Sequence, residues 1–162
     1  MTSRTRELLW RRALDDFDPE DAVSWAVAEL AEVPTSPNLA TLAGLQPRYN
    51  GFEVEDLLRR ALEERGVVEA PRDEVYRDFL SEMGNRICTG QVSPSDGCAA
   101  MARAHGGDIN RGELQPFWLL QLAIRDLRAG QRQWYCPDLT LDTFDGAVLA
   151  AARELCVALA SP

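Results

Sequence analysis

His105 is the only histidine in the chain, so a Ser–His or Cys–His nucleophile would have to use it. Nothing in the sequence aims a hydroxyl or thiol at it. Cys98 lies earlier on nearly the same helical face, but the spacing corresponds to about 10 Å of helix rise. Two ligands of one zinc ion each sit about 2.0–2.3 Å from the metal, so the pair is too far apart. A histidine at a helix C-terminus, facing the negative end of the dipole, accounts for His105. Asp108-Ile109-Asn110-Arg111-Gly112 begins like a calcium loop. It then has Glu113 where that loop needs glycine, and Leu119 where it needs its closing glutamate. A turn leading into a helix explains it better.

Asp15, Asp16, Asp18, Glu20 and Asp21 crowd five acids into seven residues. A magnesium site needs two acids on one helical turn, and Pro19 splits this stretch into two helix ends. Asp18 reads as an N-cap, Pro19 as the first helical residue, and Glu20 and Asp21 as the first turn. What is left is a solvated acidic corner or a patch that receives a basic partner. Arg132, Trp134 and Tyr135 form the second candidate. These residue types dominate interaction hot spots, and they lie in a polar connection after Gly130. They make either a small recognition surface or a lid folded back on the core.

The chain has no GxGxxG and no GxxxxGK, so no phosphate-cradling loop is expected. All 17 basic residues are arginine. Lysine Schiff-base chemistry and pyridoxal phosphate attachment are therefore excluded. No metal and no cofactor is expected. The net charge of −9 argues against nucleic acid, whose phosphates need a basic footprint, and suits a basic protein partner. No signal peptide and no membrane-spanning run is visible, which points to the cytoplasm. In that compartment the four cysteines are expected as free buried thiols.

Helices must position these groups. Over 5–16, Leu8, Leu9, Arg12 and Ala13 share a stripe, with Trp10 on its flank. The second helix opens at Asp18-Pro19 and carries Ala22, Val23, Ala26, Leu30 and Val33, broadened by Trp25 and Val27, until Pro34. Ser36-Pro37 opens a short third helix, and Asn50 with Glu53 has capping-box spacing. The next helix buries Val54, Leu57, Leu58, Ala61 and Leu62, pairs Glu55 with Arg59 and Asp56 with Arg60, and stops at Gly66. Asp73 caps a helix to about Thr89, with Tyr76, Phe79, Leu80, Met83 and Ile87 on one face. Ser93-Pro94 opens another, ended by Gly106-Gly107. Leu114–Leu127 is apolar nearly all round, which demands cover on several sides. It is the expected central helix, with Trp118 in the core. The last helix runs over 142–160, and Cys156 reads as core.

Residues 36–66, with Ser36-Pro37-x-Leu39, Leu42-Ala43-Gly44 and the Glu53–Leu62 helix, are similar to a type of small all-helical bacterial protein of unassigned function. The resemblance implies an all-helical fold and a bacterial origin, and carries over no site residues.

The expected architecture is all-α, one domain over 1–162, a compact bundle of about seven or eight helices; a short helical-repeat solenoid is the alternative. The expected function is an acidic intracellular interaction module, of the immunity-inhibitor or adaptor kind, that binds a basic protein. The alternative is a small-molecule site or enzyme between helices, using Gln121, Arg125, Tyr76 or Tyr135.

Overall fold

A computed structural model describes residues 1–32, 36–108 and 110–160. Val33 and Pro34, expected at the end of the second helix, and Ile109 of the calcium-like stretch lie outside the described residues. The chain is all-α. The helices are α1 (Ser3–Ala13), α2 (Pro19–Leu30), α3 (Pro37–Ala43), α4 (Gly51–Glu64), α5 (Arg72–Cys88), α6 (Pro94–His105), α7 (Gln115–Arg128) and α8 (Phe144–Ala160), with one 3-10 turn, Gly112–Leu114, before α7. Among the described residues there is no strand. No helix there is long and apolar enough to cross a membrane. The helices fall into two compact units, Met1–Tyr76 and Arg77–Pro162, and the boundary lies within α5.

Local chemistry explains the helix starts. Asp18 accepts from the Glu20 N–H at 2.9 Å while Asp21 accepts from the Asp18 N–H at 3.1 Å, a reciprocal capping box with Pro19 inside it. Ser36 and Ser93 cap α3 and α6 by accepting from the Leu39 and Asp96 N–H, each followed by proline. Asn50 caps α4 through the Phe52 N–H at 3.2 Å. Some boundaries differ from expectation. α1 starts at Ser3, earlier than the expected 5, with Thr2 as its cap. Asp73 sits inside the first turn of α5 rather than before it. α8 starts at Phe144, because Thr140 and Thr143 hydrogen-bond each other in the turn that precedes it.

In the first unit α3 packs against both α2 and α4, and α1 and α4 also touch α2. Leu8, Leu9, Ala22, Trp25, Ala26, Leu39, Leu42, Val54, Leu58 and Leu62 fill the space between them. Each such leucine contributes roughly 1.5–3 kcal/mol by leaving water. Trp10 is buried, not on a flank, while Val27 is exposed. Glu29 is the exception to the apolar filling. It is 0 % exposed, accepts from Thr2 Oγ1 at 2.6 Å and pairs with Arg65 Nη2 at 2.5 Å. Beside it the Trp25 indole donates to Thr5 at 3.2 Å. Burial of a carboxylate is tolerable only with such partners.

In the second unit α7 packs on α6 and α8, and α6 on α8. α7 is thus central to this unit, whereas the first unit has its own core. Phe117, Leu120, Ala123 and Ile124 are the buried face of α7. Trp118 is half-buried, a correction to its expected core position, and stacks on His105 with ring centroids 5.2 Å apart. One residue along a helix turns the side chain by about 100°, and that step puts Phe117 inside and Trp118 at the margin. Gly97 is required by close approach: a Cβ there would stand 2.4 Å from Ile87 Cγ1. Of the thiols only Cys98 is fully buried; Cys88, Cys136 and Cys156 are half-buried, so Cys156 is not a core residue.

Candidate protein-binding cleft

Two arginines organise the polar surface of the first unit. Arg12 forks from α1, donating through Nη2 to Glu55 at 2.8 Å and through Nη1 to Glu69 at 2.8 Å. Glu55 therefore does not pair with Arg59 as its i, i+4 spacing suggested. Arg59 takes Asp56 and Glu63 instead, both at 2.8 Å. Asp56 also holds Arg60 at 2.6 Å, as expected. Arg72, the first residue of α5, donates through Nε to the Ala13 carbonyl at 2.8 Å and pairs with Asp15. It closes the C-terminal end of α1, where unsatisfied carbonyls favour a cation.

These groups rim a cleft of about 520 Å³. Leu9, Ala13, Phe17 and Val75 give it an apolar floor, and Arg12, Asp15, Glu55, Glu69 and Arg72 its edge. Three carboxylates thus face two guanidiniums. The lining holds no hydroxyl, thiol or imidazole to act as nucleophile. A second hollow, of about 740 Å³, shares Arg12, Glu55 and Glu69 with the first.

Asp15 has an unusual backbone. The Asp16 N–H reaches the Arg11 carbonyl at 3.0 Å and the Asp15 N–H reaches that of Arg12, a Schellman ending with Asp15 left-handed at φ +59°. The helices ending at Gly66, Gly90 and Gly130 carry glycine at the matching left-handed position. Aspartate there is tolerated but not preferred. The strained backbone delivers the Asp15 carboxylate to the cleft edge.

The remaining acids of the corner are spread over different tasks. Asp18 and Asp21 serve the capping box, and Asp21 also takes Arg11 at 2.5 Å. Asp16 and Glu20 are exposed. Among the described residues no group of three or more His, Cys, Asp or Glu side chains is placed to hold a metal ion. Arg12, Glu55, Glu69 and Arg72 were missed by sequence reasoning. The available signal was weak: Arg12 sits on an otherwise apolar stripe, and Arg72 follows a proline at a helix start.

In the second unit Arg132 lies over the Trp134 ring, 3.9 Å from its centroid. Trp134 is 69 % and Tyr135 43 % exposed, so neither folds back as a lid. Gln133 turns inward instead. Its amide holds both the Cys136 N–H, at 2.9 Å, and the Cys136 carbonyl, and this staple pushes its two aromatic neighbours outward. A hollow of about 660 Å³ beside α7 is lined by residues such as Leu120, Pro137, Leu139 and Ala147, and not by Trp118 or Gln121. His105 is buried at the end of α6, and its Nδ1 accepts the Gly107 N–H at 3.1 Å, so that nitrogen is engaged by the turn that follows. Asp108 is held below the usual carboxylate range, first by the Asn110 N–H, and its backbone carbonyl accepts from the Arg111 N–H at 3.0 Å. No protein-family model, curated protein or solved structure matches the chain.

Proposed function

We propose that the chain is a non-enzymatic interaction module whose first unit receives a basic side chain of a protein partner in the Arg12–Arg72 cleft. An immunity-type inhibitor or an adaptor would work in this way. The observation that carries the reading is the left-handed Asp15, a backbone cost placed where the carboxylate gains a position at the cleft edge. Strain of this kind collects at functional sites. An arginine or lysine from a partner would lay its stem on Leu9, Phe17 and Val75 and exchange its head with the guanidinium already bound to Glu55, Glu69 or Asp15. The net charge of −9 would speed the encounter. The exposed Arg132–Trp134–Tyr135 group supports a second contact.

The test is titration of the nitrogen-15-labelled protein with a short peptide alternating arginine and leucine, against a sibling with glutamate for arginine. Amide shifts should centre on Arg12, Asp15, Glu55 and Glu69 for the arginine peptide alone, and weaken with salt. Asp15→Gly relieves the backbone, so its stability should stay within about 1 kcal/mol of wild type while its affinity falls. Shifts scattered over the surface, or an affinity that Asp15→Gly leaves unchanged, would sink the proposal.

A further inference from the structure

The second unit carries all four cysteines as free thiols, and the fold sorts them into two neighbouring pairs. In the first pair Cys98 donates from the core to the Phe117 carbonyl at 3.4 Å. Burial, and then nearby Cys136, push its thiol up to about 12. It is therefore neither accessible nor ionised.

The second pair is different. Cys88 ends α5, Cys156 lies on α8, and both are half-buried. α8 crosses α5 where Gly84 has no side chain. A Cβ at Gly84 would stand 2.9 Å from Cys156 Sγ and 3.8 Å from Leu155 Cδ2. Cys156 Sγ also donates to Asn85 Oδ1 at 3.8 Å. Cys88 follows Gly84 by one helical turn on the same face, which places it next along α5 from the position that the Cys156 thiol fills. Glycine inside a helix costs about 1 kcal/mol relative to alanine. Here it clears the space that the Cys156 thiol occupies.

We propose that Cys88 and Cys156 are a redox-modifiable pair, which a peroxide converts into a disulfide tying the end of α5 to α8. The Cys88 thiolate attacks one peroxide oxygen, the O–O bond breaks, and sulfenic acid and hydroxide result. The Cys156 sulfur then attacks the Cys88 sulfur; the S–S bond forms, the S–O bond breaks, and the departing hydroxide takes the thiol proton as water. In sum two thiols and one hydrogen peroxide give one disulfide and two waters, two electrons passing from sulfur to oxygen. Burial, and then Cys88 itself, raise the Cys156 thiol, which disfavours it as the thiolate that meets the peroxide first. Cys98 is protected by the core, so the pairing is selective.

The test exposes the folded protein to hydrogen peroxide, blocks remaining thiols by alkylation, and maps the peptides. The expected result is a mass loss of two hydrogen atoms, one Cys88–Cys156 cross-linked peptide, and reversal by dithiothreitol. The melting temperature should rise on the order of 10 °C, since the link closes a long loop of the unfolded chain. Cys98→Ser should keep the cross-link and Cys156→Ser should lose it. The wild-type map stands without either variant. Sulfinic acid on separate cysteines, a Cys98–Cys136 link, a disulfide between two molecules, or a Cys88–Cys156 link seen only in urea would each overturn the proposal.

Discussion

Glu29 in the first unit and Cys98 in the second are both fully shut off from solvent, and the chain handles them in opposite ways. Glu29 is given an ion pair with Arg65 and a hydroxyl from Thr2. Cys98 is given one carbonyl, from Phe117, and is kept neutral by burial. The first unit thus holds a polar network whose members depend on one another. The second holds an apolar core with glycines and a thiol at its close approaches. A buried charge is sensitive to the loss of a partner, whereas a close-packed core is sensitive to volume.

The largest effect should come from volume. Phe117→Ala empties a fully buried site and should cost roughly 3–5 kcal/mol in urea denaturation. Trp118→Ala should cost less than half of that, because Trp118 is half-buried and packs on His105 at the margin. Equal losses would mean that the two positions are not distinguished as the structure has them. Next comes Arg65→Met, which leaves Glu29 without its cation and should cost about 3 kcal/mol. Its side chain is 17 % exposed, so water softens the loss. Adding Glu29→Met should restore most of the stability. If the single change is neutral, the network does not hold the first unit together.

The smallest effect is in alkali. The Cys98 thiol ionises near 12 in the fold instead of near 9, so above pH 9 the unfolded chain gives up this proton first. The contribution is fully present below about pH 9 and is lost as pH rises through about 12. The loss should reach about 1 kcal/mol by pH 10. Cys98→Ala should flatten that part of the stability profile. An unchanged slope would mean that Cys98 ionises inside the fold as easily as outside it.

The sequence by itself determined the all-α class and most helix starts. Asp18-Pro19, Ser36-Pro37 and Ser93-Pro94 each cap a helix as read, because a cap is satisfied within three residues by the chain's own amides. Gly66 and Gly106 end helices as read, since left-handed backbone is a local demand. The apolar stripes placed Leu8, Ala22, Leu58 and Leu62 inside. Glu29 was not legible: it lies one turn beyond Ala26 in α2, but a carboxylate there gives no hint of its burial or of the arginine that meets it.

Only the tertiary structure decided the cleft. Arg12 meets Glu55 and Glu69 across 43 and 57 residues, and Arg72 meets Asp15 across 57. Glu55 had a good partner four residues away and took a distant one, because the half-buried Arg12 on α1 faces it and Glu69 together. An exposed i, i+4 pair is worth only about 0.3–0.5 kcal/mol, too little to compete with a guanidinium that is largely withdrawn from water. The same reason separates Phe117 from Trp118 and leaves Trp134 outside. Spacing ranks which face of a helix is apolar, but the neighbouring helices decide how much of that face is covered.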